Sequence, residues 1–472
     1  MRERSRVAPL DHRALWSAPM EQTAATSEGI ESLPAERSPQ WVVGLAALAI
    51  WAAMWLIAVL WGESLAKTNV MHLGAPPFAA FWRNRINGAT VVSIGFGAAF
   101  IVALPWAALH LRFSAALASA GAASATFAYV LSRNDGIFGL LHGVDHNDSY
   151  FFALQSEPDI GRFVRNYVEL VEGGTIAVHV RGHPPGMVVV LGAMRAIGLD
   201  DVRWVAALCI VGGGLAAIAV GFAVARLAGE HTARRALPFL ALSPAALLIA
   251  TTPDAFFAAV GASAVMLMAI AVTTSTDAAR WWAAASGLVL GVCMMLSYGL
   301  VLISIPIAVI AFARRRWQLL IPCAICAAAF VLAWVPFGFW WLEGLAATRE
   351  QYLIGISKQR PARYFSFSNI AVVGVVIGPM TCVALAWAAR TWSSRRGLVL
   401  VLGGFVGAIV VANLSGMSKA EVERIWLPFT LPLLAAGSVL WFGKRPLVTA
   451  RVALTVQVAM AIVLQSVLKF YW

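Results

Sequence analysis

The chain has 472 residues, 60% of them hydrophobic and only 12% charged, about half the charged share of a soluble domain. So much apolar side chain cannot be hidden inside a water-soluble core, which excludes a soluble globular protein. The formal net charge of +12 falls largely in short clusters between apolar runs, where the positive-inside rule puts it, and is not a nucleic-acid signal.

Residues 1–40 are polar, with mixed charges and Ser, Thr and Pro. No apolar run precedes residue 41, so this stretch reads as a disordered cytoplasmic tail rather than a cleaved signal peptide. Beyond it, apolar runs of about 20 residues recur, which is the signature of membrane helices; barrel strands would alternate over about 10. Spans are expected at 41–61, 89–109 and 114–132, followed by a long polar stretch, 133–183. The apolar segment 186–199 is short for a span. Further spans fall near 204–228, 236–252 and 254–273. The run 283–312 is too long for one ordinary helix and carries "SYG" at its middle. The remaining spans are 317–338, 370–389, 397–412, 427–442 and 448–468. The expected fold class is all-α: a polytopic transmembrane helical bundle of about 12–14 membrane segments, with structured outer loops carrying short interfacial helices.

Basic clusters set the expected topology. "ARRRW" (Arg314, Arg315, Arg316), "RTWSSRR" (Arg390, Arg395, Arg396) and "GKRP" (Lys444, Arg445) should be cytoplasmic. Three polar loops, 133–183, 339–369 and 413–426, then share the opposite face. With a cytoplasmic N-terminus, parity requires either that 186–199 fails to cross or that 283–312 crosses once. The five cysteines lie in apolar runs. "CAIC" (Cys323, Cys326) reads as small residues at a helix contact, and no disulfide framework is expected.

The loop 133–183 concentrates the chemistry. It holds four of the eight histidines, His142, His146, His179 and His183, together with Asp145 and Asp148 in "HGVDHNDSY". "DSYFFALQ" reads as a short amphipathic helix, and "RFVRNYVELVEGG" as a second, ended by Gly173–Gly174. In "HVRGHPPGMVVV", His179, Arg181 and His183 alternate, so an extended strand would point them to one side; Pro184 and Pro185 open the following apolar helix. Were a divalent metal held here, Asp145, His146 and Asp148 would supply oxygen and nitrogen ligands, although their spacing matches no zinc signature. The late loop "SKAEVERIWLPF" brings Glu421, Glu423 and Arg424 to the mouth of an apolar run, where charge must be paired or line a wet cavity. Lys358, Arg360 and Arg363 put cations on the outer face, against the positive-inside bias; an anionic ligand such as a lipid phosphate explains them. A carboxylate taking a proton from an acceptor hydroxyl, beside cations that stabilise a departing phosphate, amounts to group transfer from a lipid-phosphate donor.

Over roughly residues 114–445 the chain resembles the GT-C superfamily of polytopic glycosyltransferases. Four stretches carry the resemblance in order: "GVDHNDSYFFAL", "GHPPGMVVV", "RRALPFLALSPAALLIATTPDAFFAAV" with Ser243–Pro244 and Asp254, and "SKAEVERIWLPF", which is similar to loops of actinobacterial members. The resemblance implies an inverting, mannosyl- or arabinosyltransferase-like enzyme of the plasma membrane, with its active site on the non-cytoplasmic face. Its donor would be a polyprenyl-phosphate sugar and its acceptor a glycan, lipid or protein. It implies Asp148 or Asp145 as the general base, with Asp148 preferred because an aromatic pair follows it closely. Arg424, Lys358, Arg360, Arg363, Arg181, His183, Glu421 and Glu423 would then contact donor phosphate or substrate. The chain departs from the family pattern in that its acidic loop follows the third span, so 41–110 would be an extra transmembrane hairpin ahead of a core spanning 111–472. The competing expectation is a transporter or lipid flippase, which would carry ionisable groups within its spans; Arg195 and Asp254 are the main candidates.

Overall fold

The computed structural model describes residues 40–68, 71–250 and 252–471. Apart from Gln40, the predicted tail 1–40 lies outside the described residues. The chain is an all-α polytopic bundle. Among the described residues, nine helices are long and apolar enough to cross a membrane, or ten where the bent pair Ala362–Ile377 and Pro379–Arg390 is counted as one span. Three shorter apolar helices, Gly186–Ala196, Tyr298–Ala313 and Leu427–Leu440, stand where spans or half-spans were expected, and the expected span 236–252 is instead two short pieces, Glu230–Ala241 and Ala246–Ile249. Helices such as Trp41–Ala66, Trp317–Phe337 and Pro446–Val467 expose large apolar side chains along their length, among them Leu45, Ile50, Ile325 and Val452. Such surface is stable against lipid and not against water.

The two doubtful segments behave differently. Gly186–Ala196 is about 16 Å long at the helical rise, half the hydrocarbon thickness. Its first residue packs on the Met295 backbone, and Arg195 near its end donates to the carbonyls of Leu154 and Pro158. It therefore lies among the loops and does not cross. The run 283–312 is two helices, Ala278–Leu296 and Tyr298–Ala313, broken at Ser297. The break is held by the Trp341 indole, which donates to Met294 O at 2.8 Å.

Loop contacts divide the bundle into two ends. At one end Arg181 donates to Gln351, Thr348 to Arg181 O, and Tyr352 to Gly416 O. The three polar loops 133–183, 339–369 and 413–426 thus meet. At the other end Arg234 donates to Ala108 O and Leu111 O, Arg314 to Leu227 O, and Trp441 to Arg235 O. "CAIC" lies in the helix Leu320–Leu332, where Gly287 packs on the Cys323 backbone; all five cysteines are free thiols.

The hairpin 41–110 is more than an appendage. Its connecting segment reaches the loop end, where the strand Ala80–Trp82 pairs antiparallel with Leu468–Phe470. Arg83 and Arg85 each bridge Asp135 at 2.5 Å.

One break inside the apolar layer shows how the backbone is satisfied. Ala362–Ile377 and Pro379–Arg390 meet at 101°, with Gly378 at φ +81°, a conformation that favours glycine. A broken helix leaves carbonyls and amides that lipid cannot satisfy. The wholly buried Gln457 supplies the partners: its amide donates to Ile377 O at 2.7 Å and Thr381 Oγ1 at 3.0 Å, and its oxygen accepts from Met380 N at 3.3 Å. Gln457→Leu leaves those groups unpaired and is expected to lower stability by about 1–3 kcal/mol, read as a lower melting temperature of the purified protein in detergent; an unchanged melt overturns this role.

Candidate functional site

The predicted loop helices form, and their caps explain some of the acids. Ser149 caps Tyr150–Ser156 by accepting from Phe152 N, and Asp159 caps Ile160–Arg165 by accepting from Arg162 N. The second predicted helix breaks at Asn166, and Tyr167–Glu172 follows, ending at the Gly173–Gly174 pair. Tyr150 and Leu154 turn inward and are buried. Helix formation therefore seats the turn 142–149 on the bundle.

The segment 178–183 is not an extended strand. It forms a short helix, Val178–Arg181, and then a turn, so its three polar side chains diverge. His179 reaches Arg424, with Nε2 3.2 Å from Nη2. Arg181 reaches Gln351 at 3.3 Å. His183 Nδ1 folds back to His179 O at 2.7 Å. Pro184 and Pro185 precede Gly186–Ala196, as expected of a helix entry.

At the centre lies Arg424, 4% exposed. It donates to Asp254 Oδ2 at 3.0 Å and to Glu421 Oε2 at 2.5 Å. Asp254 opens the membrane helix Asp254–Thr273 and is 3% exposed. Glu421 follows Ala420, and both take left-handed backbone, φ +61° and +78°, a conformation costly for residues with a Cβ. That turn aims Glu421 back at Arg424. The adjacent Glu423 is wholly buried and its Oε1 accepts from Ala79 N at 2.9 Å.

Hydrogen-bond roles assign the imidazole tautomers. A guanidinium only donates, so His179 Nε2 accepts and Nδ1 carries the proton. His183 Nδ1 faces a carbonyl and donates. His146 Nδ1 accepts from Asp148 N at 3.2 Å, leaving Nε2–H as a buried donor with no partner among the described residues. All three rings are held neutral. Burial is the main cause in each, pushing His179 well below 6.5 and the other two lower as well, and Arg424 adds to it.

The two aspartates favoured as bases lie at the rim. Asp145 and Asp148 are exposed, and Asp148 is tied inward through its backbone: its carbonyl accepts from His179 N at 3.2 Å and its amide donates to His146 Nδ1. Lys358 and Arg363 are exposed. Arg360 is half-buried, donates to Met71 O and Lys419 O, and lies over the Phe365 ring. Among the described residues no three His, Cys, Asp or Glu side chains are arranged to hold a metal ion, so Asp145, His146 and Asp148 do not form a ligand set.

Between the loops 339–369 and 413–426 opens a cavity of about 490 Å³, lined in part by Arg349, Tyr352, Ser357, Lys358, Met417 and Lys419. Its lining includes three cations and no carboxylate. The size suits a ligand and the charge suits an anion. Arg349 and Lys419 are missing from the predicted donor-site set, and so is Asp254, which an acid within an apolar run signals. The Ala79 amide has no sequence signal, because any residue but proline supplies one.

Removing one partner of a buried ion pair strands the other, at about 3–5 kcal/mol. Arg424→Met should therefore melt far below the parent protein, and Asp254→Asn combined with Arg424→Met should recover part of the loss; a double variant no better than Arg424→Met refutes the pairing. The histidines give a pH signature. Their folded-state values lie below the ordinary 6.5, so the unfolded chain takes up protons first, and the stability present above pH 6.5 is lost as pH falls beneath it. Between pH 7.5 and 5 the histidines therefore pull the melting temperature down, and His179→Gln should lose less of it than the parent protein over that range. No protein-family model and no curated protein matches this sequence.

Proposed function

We propose that this multi-pass membrane protein is a glycosyltransferase of GT-C type, moving a sugar from a polyprenyl-phosphate donor to an acceptor hydroxyl on the non-cytoplasmic face of the plasma membrane. One observation carries the reading: His179 joins the exposed acidic turn to the buried cation centre, its amide held by Asp148 O and its imidazole by Arg424. A carboxylate and a set of cations at one end of a lipid-embedded bundle suit transfer from a lipid phosphate.

In this reaction the acceptor oxygen attacks the anomeric carbon and its proton passes to the Asp148 carboxylate. The bond from that carbon to the phosphate oxygen breaks, with inversion, and polyprenyl phosphate departs. Arg424 already serves Asp254 and Glu421, which makes it the group that positions His179. The cavity cations Arg349, Lys358 and Lys419 are better suited to the phosphate, with Leu345, Leu353 and Met417 beside them for the first isoprene units.

The test is product formation in membranes supplied with radiolabelled polyprenyl-phosphate sugars. Asp148→Asn is expected to lower transfer by about 10²–10⁴-fold with expression unchanged. Full activity in Asp148→Asn, Asp145→Asn and the double variant overturns the proposed base. Arg349→Ala and Lys358→Ala should raise the donor KM several-fold. The buried Asp254–Arg424 pair also favours a second reading, a transporter or lipid flippase. Solute or lipid movement in proteoliposomes, with no transfer from any donor, would establish it instead.

A further inference from the structure

The segment 71–82 reaches the site at Glu423, and its two halves are held in different ways. Its root is fixed. Ala80–Trp82 pairs with Leu468–Phe470, Arg83 N donates to Val467 O, and Arg83 and Arg85 bridge Asp135. Its tip is packed by the buried Ala75 and Phe78, the latter against Trp55 and Phe470, Ala79 O accepts from Tyr471 N at 3.1 Å, and its remaining polar ties are single. Arg360 donates to Met71 O at 3.2 Å, His72 lies 3.2 Å from Gln359 Oε1, and Gly74 N donates to the Tyr471 hydroxyl at 2.6 Å. The innermost contact is Ala79 N to Glu423 Oε1. Met71, Leu73 and Ala79 close a small dry cluster with Tyr364, Phe365 and Ala420.

Glu423 is the weak point of this closure. One of its oxygens has the Ala79 amide; the other, Oε2, is buried with no partner among the described residues. A neutral carboxyl is cheaper to bury there than a carboxylate, which has lost its water and keeps only the backbone amides of Ala79 and of Glu423 itself. The charged and titratable groups facing it are Glu421 and Arg424 on its own segment, Arg360 from the 339–369 loop and Tyr471 from the C-terminus. Glu421 opposes a second negative charge. Arg424 and Arg360 favour it, but Arg424 is shared with Asp254 and Glu421, and Arg360 with two backbone carbonyls.

We infer that the tip of segment 71–82 is a proton-operated strap: it closes over the site on a neutral Glu423 and lifts when that carboxyl ionises and takes water. Burial, the dominant cause, pushes the closed-state carboxyl up to about 7 from an ordinary 4.5. The closed form therefore binds more protons than the open one, and its advantage is complete below pH 4.5 and lost as pH rises through 7. With an open-state carboxyl at its ordinary value, opening rises about tenfold between pH 6 and pH 8. The strap would thereby set when the site admits a ligand, whatever chemistry follows.

Hydrogen–deuterium exchange of the full chain in lipid nanodiscs tests this with no substrate present, so the outcome is independent of the glycosyltransferase reading. After correction for the intrinsic pH dependence of exchange, peptides covering 71–79 should exchange about tenfold faster at pH 8 than at pH 6, while the spanning helices do not change. Glu423→Gln should abolish the difference, and Glu421→Gln should keep it. Equal corrected exchange at the two pH values in the parent protein overturns the inference. So does an unaltered pH dependence in Glu423→Gln. The parent measurement alone decides the matter if that variant does not fold.

Discussion

A single buried guanidinium organises the loop end of this protein. Arg424 cannot sit at 4% exposure without counter-charge, and a cation dehydrated without partners costs several kcal/mol. Its partners come from separate parts of the chain: Asp254 from the head of a membrane helix, Glu421 from a strained turn and His179 from the long acidic loop. Satisfying one charge thus fixes the relative positions of three segments distant in sequence. Burial keeps the histidines neutral, and the same charge adds to it, because a second cation beside Arg424 in a dry site is disfavoured.

The apolar layer obeys a related constraint. Where the helices are continuous, the backbone satisfies itself and the side chains only need to be apolar. Where a helix breaks, a polar side chain answers. Gln457 serves the Gly378 bend and the Trp341 indole serves the break at Ser297. These polar groups are costly among hydrocarbon, and they are placed where backbone groups would otherwise be stranded.

The loop end contains two regions of different character. Around Arg424 the charges are paired, and all but Glu421 are buried. In the cavity between 339–369 and 413–426, Arg349 and Lys358 are exposed beside apolar side chains, and Lys419 lines the wall with its ammonium donating to Ser357 O at 2.9 Å. A paired centre preserves geometry, whereas exposed cations beside a cavity recruit anions. That division of labour is what makes a group-transfer reading more economical than one in which a single arginine both builds the site and binds the phosphate.

Much of this was legible in the chain itself. Apolar runs of spanning length dictate a helical membrane bundle because hydrocarbon leaves the backbone no other way to hydrogen-bond, and the basic clusters separate one set of loops from the other. The 186–199 segment was recognisably short, the Pro184–Pro185 pair marked a helix entry, and Glu421, Glu423 and Arg424 were visible as charges at a helix mouth, although Arg424 pairs with Glu421 and not with the adjacent Glu423. Local pattern misled at 178–183, where alternation suggested a strand but a helical turn sends His179, Arg181 and His183 in different directions. Only the tertiary structure decided that Asp254 faces Arg424, that the cavity gathers Arg349 and Lys419, and that the hairpin 41–110 returns a backbone amide at Ala79 to Glu423. The reason is physical. Periodicity and hydropathy report what each segment needs from its solvent, and every residue they rest on lies within one or two turns of its neighbours. The pairing of Asp254 with Arg424 spans 170 positions, and that of Ala79 with Glu423 spans 344. Contacts of that range depend on how the helices pack together, which no local spacing encodes.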